Sequence, residues 1–75
     1  MPLTHDTDIY GFAGQRIRVR RVLMGMSEKH LAEATGISLY MLRRYERGEG
    51  NITMDKVDSI AATLDVPIGY FFSET

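Results

Sequence analysis

The sequence predicts an all-α fold in which five short helices form one compact bundle. Apolar residues recur at steps of three and four along most of the chain, and small polar residues and glycines mark the ends of these segments. No segment alternates polar and apolar residues as a half-buried strand would. The 75 residues suffice for one domain, which we place at residues 9–75 behind a flexible polar tail at residues 1–8.

Helix 1 is predicted from about Tyr10 to Met24, and Gly25 follows as its terminator. Its inner face is formed by Tyr10, Ala13, Ile17, Arg21 and Met24. On the side away from this face lies a second apolar row, formed by Phe12, Val19 and Leu23. The tail, the C-terminal turn or another subunit could cover that row.

Helices 2 and 3 are predicted from residues that cap their ends. Ser27 offers an N-cap oxygen to helix 2, which stops at Gly36. Ser38 does the same for helix 3, which runs from Leu39 to about Arg47 and ends at a glycine. The inner side of helix 2 carries Leu31, Ala32 and Thr35.

Helix 4 begins after Thr53, which is predicted to be its N-cap. The residues that it turns inward are Met54, Val57, Ile60, Ala61 and Leu64. Pro67 stops this helix and starts a final turn that continues through Phe72, which we count as the fifth helix.

The stretch from Glu28 to Arg47 has the spacing of a helix-turn-helix. A three-residue turn at 36–38 forces its two helices to cross steeply, so only a small residue such as Ala32 fits at the crossing. Gly36 permits the positive φ that such a turn needs. The residues spaced to fill the angle between the helices are Leu31, Ile37, Leu42 and Tyr45.

Helix 3 has an inner face and a cationic outer face. On a helical wheel Ser38, Leu42 and Tyr45 point inward. The opposite side carries Tyr40, Arg43, Arg44 and Arg47. All but one of the nine lysines and arginines lie between residues 16 and 47, so the net charge of −1 conceals a basic middle between two acidic ends. Such a face suits DNA, because arginines read guanine edges or neutralise phosphates.

Together these motifs resemble the Xre family of phage-repressor-like, lambda Cro-type transcriptional regulators. The resemblance covers residues from about 12 to 72 and is carried by Gly14 to Arg21, Gly25-Met26-Ser27, Leu31-Ala32, Gly36-Ile37-Ser38, Tyr45 to Gly48, Ile60-Ala61 and Leu64 to Pro67. It implies a lambda-repressor-like domain that binds a palindromic operator on double-stranded DNA as a homodimer. A cytoplasmic protein is expected separately, because the sequence shows neither a signal-peptide pattern nor an apolar run of membrane length. Helix 3 would enter the major groove, and the protein would regulate transcription, most simply as a repressor.

The resemblance also implies which residues contact DNA. The base-reading candidates are Leu39, Tyr40, Arg43 and Arg44, and the phosphate candidates are Ser27, Glu28 and Arg47. Glu28 stands where the family usually has a glutamine that binds a phosphate, and a carboxylate there would repel the phosphate. Leu39 and Tyr40 replace the common polar readers, so direct readout would depend on the arginines and on apolar contact with thymine methyl groups.

Two further roles come from the same resemblance. Arg21 and Glu46 are expected to form a buried structural ion pair that fixes helix 3 against helix 1, where an unpaired guanidinium would be costly. Near the C-terminus, Phe71 is expected mainly in the core, and Tyr70 and Phe72 are candidates for a two-fold dimer interface.

The alternative function is a protein-interaction module, such as an antitoxin or assembly subunit, that keeps the helix-turn-helix as a scaffold. Glu28, Leu39 and the overall acidity favour it. An enzyme is not expected, because no arrangement of a catalytic triad, paired carboxylates or a Gly-rich phosphate loop occurs. His5 and His30 stand alone and cysteine is absent, so no metal, cofactor or small-molecule ligand is predicted. The longest apolar run is too short for a membrane span.

Overall fold

The computed structural model describes residues 6–72, with side chains from residue 9. It consists of four α-helices and a C-terminal 3-10 turn, which are α1 (Asp6–Leu23), α2 (Glu28–Thr35), α3 (Leu39–Glu46), α4 (Met54–Leu64) and the turn Ile68–Phe71. The all-α class is confirmed, and residues 6–72 contain no strand. The count of five helices is wrong, because the fifth element has only four residues, with Gly69 among them, and closes as a 3-10 turn.

The first helix is longer at its start than the periodicity predicts. Helix α1 begins at Asp6, four positions before Tyr10, so residues 6–8 of the predicted tail belong to the helix. Residues 1–5 of the predicted tail, including His5, lie outside the described residues. None of the helices in the described range is long and apolar enough to cross a membrane.

The caps of α2 and α3 form as their sequences predict. The hydroxyl oxygen of Ser27 accepts a hydrogen bond from the backbone N–H of His30 at 3.0 Å. That of Ser38 accepts one from the N–H of Met41 at 3.1 Å. Gly36 ends α2 with a φ of 73°, a left-handed conformation that costs glycine little. The two helices of the helix-turn-helix therefore begin and end where local chemistry places them.

The ends of α4 differ from the prediction. Thr53 occupies the N-cap position, but its side chain makes no capping hydrogen bond there. The helix ends at Leu64 rather than at Pro67, because Asp65 adopts a left-handed conformation with a φ of 57°. The backbone N–H of Asp65 then satisfies carbonyl groups of the last turn.

One hydrophobic core joins all five elements, and its largest fully buried side chains are Phe71, Ile17, Leu31, Leu42, Ile60, Leu64 and Val57. Three residues predicted to face inward are exposed instead. Ser38 is the N-cap of α3 and lies before its first turn. Met24 lies beyond the end of α1, and Met54 is the first residue of α4, where the helix has not yet reached the core. Thr35 is half-buried, and its hydroxyl donates to the carbonyl oxygen of Leu31 at 2.8 Å.

Candidate nucleic-acid interface

Helix α3 lies against both α1 and α2 and is held from behind by buried side chains. Leu42 is fully buried, and Tyr45 and Glu46 beside it are buried as well. Behind α3, the backbone of α1 comes so close that an added Cβ at Gly14 would overlap the carbonyl oxygen of Tyr45. The inner side of α3 is therefore fixed, and its outer side is left to face solvent.

An ion pair between Arg21 and Glu46 joins α1 to α3. The Nε of Arg21 donates to Oε2 of Glu46 at 2.7 Å, and Nη2 donates to Oε1 at 3.0 Å, so the contact is bidentate. A third bond runs from Nη1 of Arg21 to the carbonyl oxygen of Met26, in the loop between α1 and α2. The hydrogen bonds to Glu46 raise the pKa of Arg21 above its ordinary value despite burial, so the guanidinium stays charged.

The outer face of α3 is cationic and open. Tyr40, Arg43 and Arg47 are exposed, and Arg44 is half-buried. The guanidinium of Arg44 lies 5.9 Å from the centre of the Tyr40 ring, near the outer limit of a cation–π contact. Four of the residues that the sequence assigns to DNA contact thus share one surface.

Each of the three arginines lies near a carboxylate of the same chain. The Nε of Arg43 donates to Oε1 of Glu28 at 3.2 Å. Arg44 and Arg47 approach Glu49 at 3.8 and 4.0 Å, beyond hydrogen-bond distance. All three pairs are partly exposed, and such pairs contribute only about 0–1 kcal/mol each. A polyanion can compete with them, so the outer face remains available to phosphates.

The remaining DNA candidates lie at the edges of this face. Ser27 and Glu28 stand at the start of α2, where the hydroxyl of Ser27 already caps the helix. Leu39 is half-buried and packs against the core, so only part of its side chain is available to a ligand. Glu49 is a further residue at this face that the sequence analysis does not predict. The sequence signal that could have identified it is its position directly after the glycine that ends helix 3.

The C-terminal aromatics divide between core and surface. Phe71 is fully buried, Tyr70 is half-buried, and Phe72 is exposed. Arg16 holds this end against α1, because its guanidinium lies 4.6 Å from the centre of the Tyr70 ring and 5.1 Å from that of Phe12. The row of α1 that the sequence singles out is therefore covered at Phe12 but open at its far end, where Leu23 is 72% exposed.

Comparisons with known proteins agree with this architecture. Residues 17–71 match the family model described as Helix-turn-helix. The chain is 36% identical over 61 residues to an HTH-type transcriptional regulator of Sinorhizobium medicae, covering 81% of this chain and 44% of that protein. It is 39% identical over 70 residues to a transcriptional regulator in the ATPase CF(0) region of Rhodospirillum rubrum, covering 93% and 63%.

A solved structure has the same fold. The restriction-modification controller protein C.AhdI from Aeromonas hydrophila aligns with a TM-score of 0.80 at 28% identity, over 84% of this chain and 96% of that one. The chain spans less than two thirds of the curated relatives named above. Those relatives are named as transcriptional regulators and not as enzymes. The match over residues 17–71 and these relatives place the chain in the Xre-like helix-turn-helix family.

Proposed function

We propose that this chain binds double-stranded DNA sequence-specifically as a homodimer and regulates transcription, most simply as a repressor that blocks a promoter. Helix α3 of each subunit enters the major groove of one half-site of a palindromic operator. The half-sites lie about one helical turn apart, so that both helices meet the same side of the duplex. The main observation that supports this proposal is the outer face of α3, which presents three arginines and Tyr40, while the inner side of the helix is buried.

The arginines of this face are bound only weakly by carboxylates of the same chain, so DNA phosphates can compete for them. The contacts of Arg44 and Arg47 with Glu49 exceed 3.5 Å and are exposed to solvent, so they yield to a phosphate that offers closer oxygens. Arg47, at the end of α3, is suited to a phosphate, and Arg44, near the ring of Tyr40, is suited to a base edge. The names of the relatives, which are transcriptional regulators, support the same function.

Selection of bound duplexes from a random library, followed by salt titration, tests this proposal. We expect a palindromic motif and an affinity that falls steeply as salt rises.

Replacing Arg44 with alanine should cost about 1–3 kcal/mol of binding free energy and relax the base preference at one position of each half-site. Replacing Arg47 with alanine should weaken binding to all DNA sequences about equally and reduce the slope of log affinity against log salt by about one.

The matched control is Arg18→Ala, because Arg18 is exposed on the side of α1 that carries Val19 and Val22 rather than on α3. It removes the same charge and should leave the selected motif unchanged. No enriched sequence, together with a salt-insensitive protein partner, would contradict DNA binding and favour the alternative interaction module. The neutralising contacts of Glu28 and Glu49 are the observation that favours that alternative.

For the dimer, we propose a two-fold contact through Tyr70 and Phe72. Phe72 is exposed and Tyr70 is half-buried, and the guanidinium of Arg16 in α1 contacts the Tyr70 ring. Replacing Phe72 with serine should raise the dimer dissociation constant about tenfold or more, because a buried phenyl ring contributes about 1.5–3 kcal/mol. Sedimentation equilibrium measures this constant.

Tyr40→Ser is the control for this measurement, since Tyr40 is an aromatic residue on the outer face of α3 and is even more exposed than Phe72, at 69% against 38%. It should leave the dissociation constant unchanged. Sedimentation as a monomer at high concentration, with and without DNA, would rule out the interface.

A further inference from the structure

The contact between Glu28 and Arg43 differs from the other charge contacts on the face of α3. Glu28 is the first residue of α2, and Arg43 lies in the last turn of α3, so the contact spans the helix-turn-helix. The donor is Nε of Arg43, and its distance to Oε1 of Glu28 is 3.2 Å, within hydrogen-bond range. Within the described residues, Glu28 is the one carboxylate within 4.0 Å of Arg43.

A carboxylate at Nε orients a guanidinium without using its outer edge. The group is planar and carries five N–H donors in a fixed fork. A bond to Nε sets the plane of the fork and leaves the two terminal nitrogens available. That pair of nitrogens is the one that donates to O6 and N7 of a guanine in the major groove. Because an arginine side chain has many rotamers, fixing it beforehand lowers the entropy lost on binding.

We propose that Glu28 is a positioning residue that aims Arg43 at a guanine base. This inference rests on the proposed function, because it requires α3 in the major groove. The carboxylate has a second effect: it lies at the start of α2, on the side that meets the DNA backbone, and repels phosphate there. Glu28 therefore lowers affinity for DNA of any sequence while it sharpens the preference for guanine at one position.

The other two arginines lack this arrangement. Arg44 and Arg47 share Glu49 at 3.8 and 4.0 Å, distances too long for a hydrogen bond that would fix a guanidinium plane. The distances thus distinguish one oriented arginine from two loosely attracted ones. The opposite effects of Glu28 on affinity and on preference give the inference a sharp experimental signature.

The test compares Glu28→Gln with the full chain, first by selection from a random duplex library and then by titration of the selected duplex, single-base variants and an unrelated duplex. Glu28→Gln should lower the preference for guanine at one position of each half-site by about fivefold or more. Its affinity for the unrelated duplex should rise about two- to fivefold, because one exposed negative charge is lost. Arg43→Lys should lose the same guanine preference, since an ammonium group cannot form the planar fork.

Glu33→Gln is the matched control, because Glu33 is an exposed carboxylate on the same helix and has no ion pair in the described part of the chain. It should keep the guanine preference. In the double variant of Glu28→Gln with Arg43→Lys, the first change should have no further effect on that preference.

Two results would overturn the inference and leave the proposed function intact. One is an unchanged guanine preference in Glu28→Gln, and the other is an unchanged guanine preference in Arg43→Lys, which would indicate a phosphate contact only, because lysine keeps the charge but not the planar fork. A wild-type chain that selects no sequence overturns the proposed function and this inference with it. Thermal unfolding of each variant checks that the fold is retained.

Discussion

Replacing Arg21 with alanine is expected to lower the free energy of unfolding by about 3–5 kcal/mol, the range for breaking a buried ion pair. The change leaves the carboxylate of Glu46 buried without its partner, and that side chain is only 4% exposed. It also removes the donor to the carbonyl oxygen of Met26. Urea denaturation followed by circular dichroism measures the loss.

Two controls separate the ion pair from general effects of losing an arginine. Arg18→Ala removes an exposed guanidinium from the same helix and should change stability by less than about 0.5 kcal/mol. Replacing both members of the pair, as in Arg21→Met with Glu46→Leu, should recover much of the loss, because no buried charge then remains. A loss below about 1 kcal/mol in Arg21→Ala would show that the pair contributes little to the fold.

Replacing Gly14 with alanine is expected to cost about 3 kcal/mol or more, at the upper end for overpacking a core. The added methyl group would overlap the carbonyl oxygen of Tyr45 and lie 2.9 Å from that of Glu46. These are backbone atoms of α3, so no side chain can turn away to relieve the contact. Helix α1 and α3 would have to separate, which would also strain the Arg21–Glu46 pair.

Gly11→Ala provides a matched control on the same helix. A Cβ at Gly11 meets nothing within 4 Å. The same substitution should therefore stabilise the protein by about 0.5–1 kcal/mol, since alanine favours a helix interior more than glycine does. Thermal and urea unfolding of the two variants should thus shift in opposite directions. A shift of the same sign and size for both would contradict the close approach of α1 and α3.

The helix-turn-helix could be predicted from sequence because its limits depend on local chemistry. Ser27 and Ser38 accept hydrogen bonds from backbone N–H groups three residues away. Gly36 adopts the left-handed conformation that ends α2, and this depends only on the adjacent turn of helix. Such signals act within one turn of helix. The predicted inward positions of Met24, Ser38 and Met54 are wrong, because periodicity locates a face but not the point along the helix at which the core ends.

The contacts around the candidate site are long-range, so periodicity could not give them. Glu28 and Arg43 are 15 residues apart and meet only because of the angle at which α2 and α3 cross. Arg16 stands between two aromatic rings, one of them near the far end of the chain. Gly14 belongs to a sequence motif, but only the packing of α1 against α3 shows why the position needs a glycine: a Cβ there would overlap the backbone of α3.

The three bonds of Arg21 have a consequence for how the molecule opens. They link α1, the loop at Met26 and α3 through one side chain, so none of these segments can detach without breaking contacts of the others. Slow amide hydrogen exchange in α3 should accordingly follow global rather than local unfolding. Helix α3, which is only eight residues long, thereby becomes part of a much larger cooperative unit.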